Sequence, residues 1–470
     1  MIRSQYSLIA AFAIIQSCQA KPPHPGAAVY QTYCTGCHGA QMQGSLAAPL
    51  IKTDWIYGRG KGNMMRNVRY GIAGTQMAEW DQVLTREQIS DVVDYIFESQ
   101  DVPPSAERSI PDQIETENYV LKIEKFGKGL SKPWGIEFID DTTALISEGT
   151  GGLRWLINNE LDTVPISGIP VSHMPYISSG MLDLAIDPDY ANNGWVYLSY
   201  SYTKDTVDAP NSVGMTKIVR GRVKDHEWVN EQVLFEAPES FWLGRARQWG
   251  CRFLFDNEGY LYFSIGDMSR DSLSQNITHP AGNVFRINPD GTVPKDNPFV
   301  GVPGAFEGIY SLGNRNVQGI AQDPVSGTIW MTEHGPMGGD ELNILEKGQN
   351  YGWPLATFGR NYNGNTISNT TTIEGMKLPV TYWTPSIGVC PVEVSTSSLF
   401  PKWKGNLLVG ALAQEEIKRL VVEGDSIAKE EVFLKGLGRV RDIKTHPDGS
   451  IYVLLNQPDW VIRLTPEGNL

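Results

Sequence analysis

The sequence predicts a multi-domain chain: a small all-α domain over residues 25–100, then an all-β six-bladed propeller over residues 118–470. Three observations predict it. A Cys34-x-x-Cys37-His38 motif stands among segments with a helical apolar period. From residue 118 that period disappears, and an apolar strand, a turn and a second apolar strand recur six times. Between the two regions, residues 101–117 are polar, carry three prolines and have no apolar period, which makes them a linker. At 470 residues the chain is also too long for one typical domain.

Residues 1–20 read as an export signal. Arg3 is the basic start, Leu8 to Ile15 the apolar stretch, and Cys18-Gln19-Ala20 supplies small residues for cleavage. The stretch is too short to span a bilayer. Ile15-Gln16-Ser17-Cys18 loosely resembles a bacterial lipoprotein box, with Gln16 a poor fit, so membrane association is expected only through such a lipid anchor. The expected location is the bacterial periplasm or outer surface, or the medium after secretion.

In the α domain, Cys34-Thr35-Gly36-Cys37-His38 has the spacing for covalent attachment of a c-type haem. Cys34 and Cys37 form the thioethers, and His38 follows directly so that its imidazole reaches the iron. A bare CxxC also serves a disulfide or half a zinc site; the adjoining histidine and the lack of a second CxxC select haem. Met77, in Gly74-Thr75-Gln76-Met77-Ala78-Glu79-Trp80, is the expected sixth ligand, with Met42, Met64 and Met65 as rivals. Thr85 then caps a helix with Gln88 three residues on, and Val92, Val93, Ile96 and Phe97 give it an apolar face. Haem motif, methionine before an aromatic and closing helix together resemble a small class I cytochrome c.

Net charge is −14 and the isoelectric point is near 5.1, with no basic stripe, so nucleic acid is excluded as a partner. Beyond Cys18, Cys34 and Cys37 there are two more cysteines, Cys251 and Cys390, which either pair in an oxidising compartment or stay as buried thiols.

The repeated unit begins with Trp134–Phe138 and Thr143–Ile146, then Leu182–Ile186 and Trp195–Leu198. Arg252–Phe255 with Tyr260–Phe263 and Gly319–Ala321 with Thr328–Trp330 follow. Val392–Val394 with Asn406–Val409 and Asp442–Lys444 with Ile451–Leu454 complete the set. Six copies at roughly 45–75 residue spacing signal one blade each. Sandwich strands instead recur every 8–12 residues or so. Tyr119–Ile123 has no partner of its own and is expected to close the ring against Trp460–Leu464. Ligands are expected on the loops between blades.

Two loops are distinctive: Leu312-Gly313-Asn314-Arg315-Asn316-Val317-Gln318-Gly319, and Glu333-His334-Gly335-Pro336-Met337-Gly338-Gly339-Asp340-Glu341-Leu342-Asn343. The second runs on to Asn350-Tyr351-Gly352-Trp353-Pro354. With Pro294–Phe299 and Val440-Arg441-Asp442, these loops resemble the glucose/sorbosone dehydrogenase family, six-bladed propellers that use pyrroloquinoline quinone (PQQ) and calcium. The resemblance implies that Arg315 and Asn316 hydrogen-bond the quinone edge and that Arg439 and Arg441 grip its carboxylates. It implies that the Gly335 and Pro336 carbonyls hold a calcium at the cofactor. It also implies that Asp340, Glu341 and Tyr351 form a second, structural calcium site, and that Trp383 lines the sugar pocket.

Three pocket positions depart from the family pattern. The family's general base, a histidine four residues before the arginine opening the third blade, is Gln248 here, and a glutamine amide cannot take a proton. Its active-site glutamine becomes Ser178 and its cofactor lysine Ala413. His173, in the loop leading to Ser178, is the candidate substitute base. The expected activity is an exported quinohaemoprotein dehydrogenase that oxidises a sugar or related alcohol through PQQ and passes electrons to haem c and an external acceptor. The alternative is an electron-transfer or binding protein whose propeller has lost sugar oxidation.

Overall fold

The computed structural model describes residues 24–40, 42, 47, 49–51, 60–72, 77–81, 83–100, 110–173, 179–204, 212–361 and 365–469. The export segment 1–20, Ser178 and residues 101–109 of the expected linker lie outside the described residues. The chain divides into two compact units, residues 1–51 with 85–101, and residues 52–84 with 102–470. The helical region expected as one domain, 25–100, is thus shared between them. Among the described residues no helix is long and apolar enough to cross a membrane.

The helices are α1 (Pro25–Tyr33), α2 (Thr35–His38), α3 (Lys61–Tyr70) and α4 (Arg86–Glu98), of which α3 belongs to the larger unit. In the smaller unit a Cβ on Gly26 would fall 1.9 Å from the Asp91 carbonyl oxygen, so glycine lets the backbones of α1 and α4 touch. The Tyr30 hydroxyl donates to the Gly39 carbonyl at 2.8 Å, tying α1 to the turn that ends the Cys-x-x-Cys-His helix. Thr85 and Gln88 form a reciprocal capping box at 2.9 and 3.2 Å, as their spacing predicts. Ile89, Val92, Val93 and Ile96 are the buried face of α4, while Phe97 is only half-buried.

The larger unit contains a six-bladed propeller of antiparallel sheets. Blade one runs Pro133–Phe138, Thr143–Glu148, Gly152–Ile157 and Glu160–Leu161, and blade two starts at Met181–Ile186. Blades three, four and five start at Phe253–Phe255, Val317–Gln322 and Val389–Val394. Blade six is Arg439–Thr445, Ile451–Asn456 and Trp460–Asn469, completed by Tyr119–Phe126 from the other end of the chain. Tyr119 lies opposite Asn469 and Ile123 opposite Leu464.

Gln113–Glu115, placed in the linker, is an edge strand on Tyr119–Phe126. Its Ile114, with Ile110, packs against the core between blades five and six, so these two isolated apolar residues belong to the propeller.

Each blade buries its faces on its neighbours, and among the described residues a hydrophobic cluster fills each junction. The largest joins blades two and three through Tyr197, Phe253, Phe263 and Phe285, with Trp249 beneath the incoming loop. Ile136 and Ile146 meet Tyr452 and Leu454 where blade one closes on blade six. This is radial stacking of units that cannot bury a core alone.

On the axis the inner strands converge on Arg252, which is 4 % exposed. Its guanidinium meets Asp183 at 3.1 Å and Asp442 at 3.2 Å, and donates to the carbonyls of Gln318 (2.8 Å) and Arg441 (2.7 Å). Asp183 also accepts from the Phe253 amide, and Asp442 from the Ile136 amide. One side chain therefore links the inner strands of blades two, three, four and six. Gly135 is required beside it, since a Cβ there would lie 2.5 Å from the Asp183 carboxylate. Cys251 and Cys390 are both buried and unbridged, and burial pushes the Cys251 thiol up to about 12.

Candidate active site

In a blade of antiparallel strands, the loops that enter a blade and those joining its second and third strands emerge on one face. The candidate residues collect there. His173 precedes blade two, Gln248 precedes blade three, and Arg315 and Asn316 precede blade four. His334, Gly335 and Pro336 lie between the second and third strands of blade four, Ala413 lies at the same place in blade five, and Arg439 opens blade six.

The centre of this face is cationic and buried. Arg315 donates through one Nη to the carbonyls of His334 and Gly335, both at 3.1 Å, and lies 5.4 Å over the Trp353 ring. Arg441 packs 4.0 Å over Trp134 and reaches Asn456 and Gln318 at 3.3 Å. Burial, then the charge of Arg441, pulls Arg439 down to about 10. Burial likewise lowers Arg441. His334 is held down near 3, first by burial and then by Arg315, Arg441 and Arg439. Its Nε2 is buried without a hydrogen-bond partner among the described residues. The acids nearest this cluster are Glu333 and Asp267, which feel the Arg315 charge, and Glu415, which acts on Arg439.

Gln248 is brought to the edge of this cluster. A Cβ on Gly266 would sit 2.0 Å from the Gln248 carbonyl and 2.7 Å from Asn316 Oδ1, so glycine permits the approach. Asn316 Oδ1 accepts from the Gly250 amide at 3.1 Å, and its Nδ2 lies 3.4 Å from His334 Nδ1. The Gln248 Oε1 accepts from Ser269 Oγ at 2.7 Å. Gln248, Met268 and Ser269 all have positive φ, a concentration of strain that marks functional loops. His173 is buried, with its main chain paired to Ser201, and it is not among the residues gathered around Asn316.

Two residues were missed by sequence reasoning. His334 stands inside the quoted Glu-His-Gly-Pro block yet was given no role. Asp267 follows the second strand of blade three, accepts from Trp353 Nε1 and the Ser269 amide at 2.9 Å, and is pushed up to about 6 by burial against the pull of Arg315. Only its Gly-Asp turn after a strand could have signalled it.

Residues 130–463 match the family described as glucose/sorbosone dehydrogenase. The chain belongs to the glucose/sorbosone dehydrogenase family. Residues 21–96 match the family described as cytochrome c oxidase, cbb3-type, subunit III, so a cytochrome c domain precedes the propeller. Aldose sugar dehydrogenase YliI of Escherichia coli is 35 % identical over 344 residues, 72 % of this chain and 90 % of that protein. Quinoprotein glucose dehydrogenase B of Acinetobacter calcoaceticus is 26 % identical, covering 73 % and 86 %. A solved glucose dehydrogenase structure is 34 % identical, with a TM-score of 0.69, covering 74 % of this chain and all of that one.

The family's quinone fits the residues present. Arg439 and Arg441, both lowered by burial, with the His334 Nε2 that is buried without a hydrogen-bond partner among the described residues, suit a tricarboxylate. The family's lysine position, Ala413, offers no charge; its amide bonds the Ile387 carbonyl at 2.8 Å. The calcium positions fit less directly. The Gly335 carbonyl accepts from Arg315 and the Pro336 carbonyl from Ser386 at 3.2 Å, so a cation would have to replace the guanidinium.

The Asp340 carboxylate accepts from the Gly335 and Val389 amides and from Ser386, and so organises the loop. Burial pushes Glu341 up to about 8, and it shares a cleft of about 240 Å³ with Tyr351 and Thr371. The Tyr351 hydroxyl is already engaged by the Ile344 carbonyl and the Glu346 amide. Among the described residues no group of three or more His, Cys, Asp or Glu forms a metal cluster.

Trp383 pairs with Asp340 at the edge of blade four, and its carbonyl accepts from the Gly339 amide at 2.9 Å. It is in the core between blades four and five, its indole donating to Glu430 at 3.0 Å.

Proposed function

We propose that this family member is an exported quinohaemoprotein dehydrogenase that oxidises a sugar or related alcohol and delivers the electrons to an external acceptor. The observation that carries the reading is the adjoining pair Arg439 and Arg441 at the propeller face, two guanidiniums disfavoured by burial, Arg439 also by the Arg441 charge, that a polyanion would relieve. The quinoprotein name of the Acinetobacter relative supports PQQ as that polyanion. PQQ, when bound, supplies hydride-accepting chemistry, and haem c, held by Cys34 and Cys37, supplies one-electron chemistry. Arg315 and Asn316 would orient the quinone edge, Arg439 and Arg441 would hold its carboxylates, and calcium would assist at the Gly335 and Pro336 carbonyls. Glu341, with Asp340 and Tyr351, would serve a structural calcium. Gln248 would hold a substrate hydroxyl as a donor without taking its proton.

The test uses the haem as reporter. Oxidised full-length protein is supplied with calcium and PQQ, then with aldoses and polyols, and the reduced haem band is followed. Reduction that requires both quinone and sugar upholds the reading. Absence of both reduction and quinone binding would leave the second reading, a propeller without sugar oxidation, which the Gln248 substitution favours.

The proton acceptor has its own prediction. Gln248→His is expected to raise turnover by about 10²-fold, the lower end of what a positioned base contributes. His173→Ala is expected to abolish turnover with quinone binding intact if His173 is the base; an unchanged rate rejects that role. For the haem, Met77→Ala is expected to remove the methionine–iron absorption band and lower the reduction potential. An unchanged spectrum would reassign the ligand to Met42, Met64 or Met65.

A further inference from the structure

A cleft of about 360 Å³ opens beside the Gly335–Pro336 turn, with α3 as one wall and propeller loops as the other. Arg66, Gly71 and Ile72 line it on the α3 side, and Pro336, Gly338 and Ser386 on the propeller side. All of these belong to the larger unit, although α3 lies within the segment that matches the cytochrome family. Met64 and Val68, four residues apart, bury one face of α3, which sets Arg66, midway between them, on the other. The end of the helix is held in place. A Cβ on Gly71 would fall 2.6 Å from the Met77 carbonyl, which accepts from the Ile72 amide at 3.0 Å. The second arginine of the helix, Arg69, is committed to Asp81 at 2.5 Å. Arg66 makes no ion pair among the described residues, and its hydrogen bond there reaches its neighbour Asn67 at 3.4 Å.

The facing wall is neutral. Ser386 Oγ donates to Asp340 at 2.7 Å and accepts from the Gly338 amide at 3.0 Å. The Asp340 carboxylate is taken up further by the Gly335 and Val389 amides. The Ala413 amide bonds the Ile387 carbonyl at 2.8 Å, so position 413 brings no charge to this wall. Arg66 is thus the one charged side chain lining the cleft among the described residues. Its charge reaches Arg439, which is lowered first by burial and then by Arg441, with Glu415 acting the other way. The cleft and the arginine pair therefore share one field.

We propose that Arg66 is a cofactor-binding residue, which reaches the quinone from outside the propeller and holds one of its carboxylates. This rests on the dehydrogenase reading above. A guanidinium with no ion partner presents paired donors that match a carboxylate in one plane. An anion at the cleft would also relieve the repulsion that Arg439 feels from Arg66 and Arg441.

The test titrates PQQ, in the presence of calcium, into the full chain and into Arg66→Gln and Arg66→Lys, following tryptophan fluorescence. Expected is a Kd raised roughly 10- to 100-fold in Arg66→Gln, the size of one lost charge-assisted hydrogen bond. Arg66→Lys, which keeps the charge and loses the fork, should fall between. Added salt should weaken binding to the unaltered chain more than to Arg66→Gln. The unfolding midpoint without quinone should not drop, since no ion pair is lost. A Kd unchanged in Arg66→Gln, or a loss that Arg66→Lys shares in full, overturns the assignment and leaves the quinone reading standing. A lowered midpoint without quinone places Arg66 in the scaffold and overturns it as well. A full chain that binds no quinone removes the dehydrogenase reading and this assignment together.

Discussion

Arg252→Met is expected to destabilise the propeller by about 3–5 kcal/mol, the range for removing one partner of a buried ion pair. The substitution keeps much of the side-chain volume, so the loss is electrostatic. It leaves Asp183 and Asp442 facing one another on the axis, both almost wholly buried, and orphans the carbonyls of Gln318 and Arg441. Burial already raises the pKa of Asp183 with the arginine present. Denaturant unfolding followed by tryptophan fluorescence reads the effect, because Trp134 and Trp249 lie in the propeller core. Adding Asp183→Asn and Asp442→Asn should recover part of the loss, since the uncompensated charges go with the carboxylates. A change below about 1 kcal/mol in the single variant would mean that the axis is wetter and less demanding than its burial indicates.

Arg439→Gln is expected to move stability and binding in opposite directions. The residue is half-buried, and desolvation and the neighbouring Arg441 charge hold its guanidinium well below the ordinary arginine value. A group whose protonated form is disfavoured in the fold costs stability while it stays charged, so a neutral amide should stabilise the cofactor-free propeller. The same change removes one of the two blade-six cations offered to the quinone carboxylates and should weaken PQQ binding by about 2–5 kcal/mol, or roughly 30- to 4,000-fold. Unfolding midpoints without cofactor and a quinone titration check the two halves. Loss of stability in the cofactor-free variant would place Arg439 in the scaffold instead.

The contrast between these two arginines marks what the sequence made legible. The inner two strands of each blade were readable because both faces are buried, so they stand out as apolar runs such as Leu261–Ile265 and Ile451–Asn456. Outer strands were not: Ser426–Phe433 is largely exposed and charged, and its sequence does not differ from a loop. The cap at Thr85 was legible because both partners are three residues apart. Arg439 and Arg441 could be named from their motif, but Arg252 served only as a landmark, because its partners Asp183 and Asp442 are distant in sequence. The same distance hid Asp267, whose partner Trp353 belongs to another loop, and the Trp383 indole's bond to Glu430, 47 residues on. Local pattern reports burial; it does not report which distant groups share a site.

The joint between Tyr119–Phe126 and Trp460–Asn469 bears on the order of assembly. It pairs residues about 350 positions apart, so its register forms only when nearly the whole chain is in place. Such long-range closure is entropically late and slow. Five blades have all their strands close in sequence and can organise as they emerge, but the sixth waits for the last strand. Until then blades one and six expose the faces that later bury Ile136, Ile146, Tyr452 and Leu454 against each other. The seam is therefore the place where an unfinished chain is most open to pairing with a second copy, and where a proofreading chaperone has most to hold.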